Sequence, residues 1–163
     1  MNTRRRTLLG TGLAAAMGGW SSAAWSQAKP GATRKIILGQ SVPLTGAASE
    51  IGLAFAAGAK LYVDAFNARK NNPGWNFELR QLDDGYDPAK ATANAKKLLD
   101  DGADVLFGFV GTASADAGAA VAKGENALFF GPFAASDTLR DANHPYVFHV
   151  RPSMADEAFK MVR

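Results

Sequence analysis

A doubly wound α/β fold built on a parallel sheet is the expectation, and three observations carry it. Short apolar runs recur five times along the chain, each followed by a turn and a helix-patterned or polar stretch. The clearest run, residues 105–110 (Val-Leu-Phe-Gly-Phe-Val), does not alternate between apolar and polar positions, which is how a strand covered on both faces reads. The connections are short, as in repeated strand-helix-strand units. Strands of this kind aim their carboxyl ends at a ligand crevice.

The elements follow in order. Residues 35–39 form a first buried strand centred on Ile36, Ile37 and Leu38, ended by Gly39 and by Pro43, which would break a ladder. A helix begins with Ser49 as its N-cap and sets Ile51, Phe55, Tyr62 and Phe66 on one face; Asn71 to Gly74 stop it. Residues 77–82 make a second strand. Asp87 caps and Pro88 opens the next helix, which ends before Gly102. The third strand is the 105–110 run, and residues 114–123 are its helix, closed by Gly124. Residues 127–130 form a fourth buried strand ending at Gly131-Pro132. Residues 136–143 are polar, residues 146–150 are a fifth strand, and Pro152 and Ser153 precede a last helical start that runs to the end of the sequence. That ending, with neither a capping glycine nor a following strand, reads as an amino-terminal fragment of something longer.

The first 28 residues read as a secretory signal peptide: Arg4-Arg5-Arg6, a weakly apolar stretch too short to cross a bilayer, then Ser26-Gln27-Ala28 as a small-x-small cleavage site. Arg5-Arg6-Thr7-Leu8-Leu9 resembles the twin-arginine motif, with the general secretory route as the alternative. Of 18 Lys+Arg against 15 Asp+Glu, the surplus arginines all lie in this segment, so the remainder is formally neutral. The basic balance therefore belongs to targeting and gives no reason to expect a nucleic-acid partner. With no cysteine there is no disulfide scaffold and no thiolate metal site.

Catalytic signatures are missing. The first strand runs into Gly39-Gln40-Ser41-Val42-Pro43-Leu44-Thr45-Gly46, not Gly-x-Gly-x-x-Gly, and neither a Walker Gly-Lys-Ser/Thr nor a Gly-x-Ser-x-Gly elbow is present. His144 and His149, separated by a proline and in different kinds of element, make a poor metal pair and read as structural. Asp83, Asp84 and Asp87 are better explained as strand end, turn and helix cap than as a cation site. These readings predict a non-enzyme without cofactor or metal. The phenylalanines read as core, except Phe133, which falls beyond a strand end where its ring is placed to touch a ligand. What remains is three strand ends, at residues 41–46, 111–114 and 133–137, rich in glycine and hydroxyls. Two lead into helix N-termini, where amide and hydroxyl donors suit a small carboxylate.

The ordered set Gly39 to Gly46, Asp83-Asp84-Gly85-Tyr86-Asp87-Pro88, Gly108 to Thr112, Gly131-Pro132-Phe133 and Tyr146 to Arg151 resembles the type I periplasmic substrate-binding proteins, nearest the branched-chain amino-acid group that serves ABC importers. The resemblance implies two lobes closing on a ligand, residues 29–151 being the first lobe and 152–163 the start of the crossover to a truncated second. It implies a small amino acid or related carboxylate as ligand, a membrane permease as partner and a periplasmic location; a sensory module of the same fold is the alternative. Carried over, Thr112 grips the carboxylate through hydroxyl and amide, with Gly111 and Ala113 beside it. Phe133 offers its carbonyl to an ammonium, flanked by Ala134, Ala135 and Ser136. Ala135 stands in place of a threonine and Ile51 in place of a tyrosine, and Tyr86 and Gly111 replace two half-cystines. Ser136 or Asp137 is left to supply the missing ammonium acceptor.

Overall fold

The computed structural model describes residues 33–72 and 74–163; the signal-peptide reading lies outside them. Five parallel strands stand in the order β2-β1-β3-β4-β5: β1 (Arg34–Val42), β2 (Trp75–Asp83), β3 (Val105–Phe107), β4 (Leu128–Phe130) and β5 (Val147–Phe148). Four helices alternate with them: α1 (Ser49–Asn67), α2 (Pro88–Asp100), α3 (Thr112–Glu125) and α4 (Met154–Met161). The chain steps from β1 out to β2 and then returns across β1 to β3. This reversal between β1 and β3 is the topological switch point of a doubly wound sheet, the place where ligands bind beyond the strand ends.

One core fills the side of the sheet covered by α2 and α3. Phe109 and Phe129 meet edge to face there at 5.1 Å, both fully buried, with Leu98, Leu106, Ala115, Ala119 and Leu139. Burying rings of this size contributes about 1.5–3 kcal/mol each. A smaller cluster of Val42, Ala56 and Val110, with Leu44 and Phe55 against it, lies under α1.

Several elements depart from expectation for physical reasons. Gly39 does not end β1 but lies inside it, because a Cβ there would sit 3.0 Å from the Leu98 Cβ and 3.1 Å from the Ala103 Cβ. The strand continues to Val42, in register with β2 from Arg34↔Trp75 to Val42↔Asp83. β3 stops at Phe107, since Gly108 turns left-handed (φ 58°), and the chain rejoins the sheet edge only through a bridge between Val110 and Phe133. α3 starts at Thr112, not Ser114, and runs through Gly124 to a left-handed C-cap at Asn126. Ser49 is the first residue of α1, not its cap.

The exposure of the apolar side chains also differs. On α1 the buried positions are Gly52, Ala56 and Val63, whereas Ile51 and Tyr62 are exposed. A Cβ at Gly52 would fall 1.9 Å from the Pro43 carbonyl oxygen, so small residues set how closely α1 approaches. β4 is buried only at Phe129; Leu128 and Phe130 are exposed, as is Phe148 on β5. Alternation along a strand puts these three on the face opposite the main core, which α1 covers mainly over β1 and β2.

Candidate functional site

The site is assembled from the turns that follow the strands. Asp83, at the end of β2, accepts the amides of Leu44 (2.8 Å), Thr45 (3.2 Å) and Gly85 (2.9 Å) and the Thr45 hydroxyl (2.6 Å), so it ties the loop after β1 to the loop after β2. The Thr45 hydroxyl foremost, then the Gly85 amide, hold its carboxyl down at about 2. Asp84 is fully buried and accepts the Ser41 hydroxyl and the Tyr86 amide, each at 2.8 Å. Burial pushes its carboxyl up, against the pull of those two donors. Asp87 caps α2 through the Ala89 amide, at 2.8 Å, ahead of Pro88. All three aspartates thus do the turn and cap work read from the sequence. Ser41, expected at the crevice, instead lies within β1 in this buried network, where Asn94 also donates to it.

Beyond the network, a cavity of about 300 Å³ opens at the carboxyl ends of the strands. Ala48 and Ile51 follow β1, Tyr86 follows β2, Val110, Gly111 and Thr112 follow β3, and Phe133, Ala134 and Ala135 follow β4; Arg151, Met154 and Glu157 follow β5. Segments after all five strands therefore meet around one space. Gly111 is the N-cap of α3 (φ 92°, ψ 150°) and has no side chain with which to cap. Ala115 is the first residue of α3 whose amide finds a helical carbonyl, that of Gly111 at 2.9 Å. The amides of Thr112, Ala113 and Ser114 precede it, at the positive end of the helix dipole, and beside them stands the exposed Thr112 side chain.

Of the residues predicted from the sequence, Gly111, Thr112, Phe133, Ala134 and Ala135 come together on this cavity. Ala113 is the next residue along α3 and contributes no lining, and Ser136 spends its hydroxyl on Thr138, at 2.6 Å. The Phe133 carbonyl accepts the Gly111 amide at 3.1 Å, and the Ala135 carbonyl accepts the Met154 amide at 2.8 Å. The Phe133 ring is held between Phe55, at 5.2 Å, and the Arg151 guanidinium, at 5.4 Å. Arg151 is in turn paired with Glu157. His149 is hydrogen-bonded to the Leu139 carbonyl at 3.1 Å, a structural contact as expected.

Ala48, Met154, Arg151 and Glu157 were not singled out as site residues. Arg151 follows β5, and the Ser153 capping box opens α4, which carries Glu157 to the cavity. A serine followed three residues on by Asp156 was the available signal.

Fold and cavity together define a doubly wound α/β sheet with a hollow beyond its strand ends at the switch point. A periplasmic binding protein family model matches residues 35–163. The chain belongs to that family, as a type I periplasmic binding protein of the branched-chain amino-acid group. It is similar to the leucine-, isoleucine-, valine-, threonine- and alanine-binding protein of Pseudomonas aeruginosa, 29% identical over 106 residues, 65% of this chain and 28% of that one. A crystal structure of "a possible leucine/isoleucine/valine-binding protein" from Rhodopirellula baltica SH 1 superimposes with a TM-score of 0.73 at 32% identity, covering 83% of this chain and 36% of the other. A solute-binding protein of an ABC transporter from R. palustris, in complex with benzoate, matches with a TM-score of 0.61 at 27% identity, covering 73% of this chain and 33% of the other. The chain thus spans about a third of the length of these relatives. Among the described residues no helix is long and apolar enough to cross a membrane.

Proposed function

We propose that the chain is the solute-gripping part of an ABC importer's binding protein, which captures a small amino acid or related carboxylate in the periplasm and delivers it to a membrane permease without turning it over. Residues 1–28 would direct export, residues 29–151 would form the first lobe, and residues 152–163 would begin the crossover. The observation that carries this reading is the meeting of the five strand ends around a cavity at the switch point, with the Thr112 hydroxyl and the first amides of α3 bordering it. A carboxylate placed there receives several N–H and O–H donors and the favourable end of a helix dipole, the interactions that compensate for its loss of water. The named relatives, one a leucine-, isoleucine-, valine-, threonine- and alanine-binding protein and another in complex with benzoate, support a carboxylate as the shared feature.

In the full-length protein, Thr112→Ala should weaken binding of a cognate carboxylate by about 1–3 kcal/mol, the cost of leaving a buried polar group without its partner. Calorimetric titration of wild type and mutant against a panel of amino acids and organic acids checks this. A mutant that binds every acid as the wild type does would rule out Thr112 as the anchor.

A further inference from the structure

Tyr86 is held in an unusual way for a large side chain. Its backbone is left-handed (φ 67°), directly after a left-handed Gly85 (φ 55°), and its amide is fixed by the buried Asp84 carboxylate at 2.8 Å. The phenol ring lies against the N-cap of α3. A Cβ at Gly111 would stand 2.5 Å from the Tyr86 Cε2 and 2.8 Å from its hydroxyl oxygen, so the glycine is what admits the ring. Left-handed backbone at a non-glycine residue is strained and persists only where surrounding contacts enforce it. Here the enforced conformation delivers a half-exposed aromatic side chain to the wall of the cavity.

Phe133 lines the same cavity, immobilised by Phe55 and Arg151, and Ile51, Val110 and Met154 complete an apolar lining. Each acceptor on the cavity wall that an ammonium group would seek already holds one partner. Glu157, the one carboxylate among the lining residues, is bound by Arg151, and the Phe133 and Ala135 carbonyls accept the Gly111 and Met154 amides. The donors suited to a carboxylate, at the start of α3, are not spent in this way.

We propose that Tyr86 and Phe133 form the specificity wall of the cleft and select an aromatic carboxylate over an aliphatic amino acid, its ring lying against these two side chains while α3 and Thr112 take the carboxylate. This rests on the reading that a carboxylate is bound at α3. Flat rings pack favourably against aromatic side chains, and a ligand without an ammonium does not compete for acceptors that already hold a partner.

The test is calorimetric titration of the full-length protein with benzoate and with L-leucine. Benzoate should bind at least about tenfold more tightly than L-leucine, and Tyr86→Leu, which keeps bulk but removes the flat ring, should lower benzoate affinity about tenfold while changing that of L-leucine less than about threefold. Tyr86→Phe, with the ring retained, should keep the preference, and melting temperatures of both variants report whether they fold. L-leucine binding more tightly than benzoate overturns the inference. So does an unchanged preference in a folded Tyr86→Leu variant, and if Thr112→Ala still weakens both acids the carboxylate reading survives that result. Binding of neither acid overturns this inference, and Thr112→Ala without effect on any acid of the wider panel overturns the anchor reading as well.

Discussion

At the scale of single residues, the pairing of Tyr86 with Gly111 controls the geometry of the site. Gly111→Ala meets two obstacles: a backbone at φ 92° that only glycine adopts readily, and an aromatic ring 2.5 Å from the new methyl. The substitution should destabilise the protein by about 1–3 kcal/mol, as overpacked sites do. Adding Tyr86→Ala should recover the steric part of that loss and leave the backbone part, which a double-mutant cycle in chemical denaturation resolves. Thr112 and Phe133 were singled out in the sequence by a family resemblance and by their places beyond glycine-bearing strand ends, which the structure sets on the cavity. The wall formed by Tyr86 was not. Its placement depends on a contact between positions far apart in the chain and on a left-handed turn held by a buried aspartate. Neither leaves a local pattern of apolar and polar residues.

At the scale of elements, local chemistry was read well and close approach poorly. Asp87-Pro88 starts α2 as the sequence suggests, because a cap and a first-turn proline act within a few residues of themselves. Gly39 and Gly124 were misread as terminators. One makes room for Leu98 and Ala103, and the other lies in helix α3 with nothing within 4 Å of its missing Cβ. The tie between the loops after β1 and β2 depends on Asp83, and its pH response follows from its lowered pKa. Because the folded value, about 2, lies below the ordinary 3.8, the contribution of Asp83 to stability is present above 3.8 and is lost as the pH falls from there towards 2. A melting-temperature profile across that window should fall more steeply for the wild type than for Asp83→Asn, which cannot lose a charge and should already melt lower at neutral pH.

For the described residues as a whole, the two faces of the sheet are unequal. A strand run such as Leu128-Phe129-Phe130 reads as covered on both faces, yet of its three residues only Phe129 is buried, so the fold class was legible and the cover over each face was not. The α2 and α3 side is closed over Phe109 and Phe129, while Leu128, Phe130 and Phe148 stand exposed on the other side. Phe107 and Phe130 stack there at 6.5 Å, and Tyr62 and Phe77 border the same apolar hollow. Expressed as residues 33–163 alone, the protein should bind a hydrophobic fluorescent dye and self-associate. Phe130→Ser with Phe148→Ser should reduce both effects, and a dye signal no higher than that of a compact globular control would contradict the openness of this face. The surface carries almost no charge with which to respond to ionic strength. Sulfate or phosphate salts, excluded from bare hydrocarbon, should drive such molecules together, and dilution into low-salt buffer should release them.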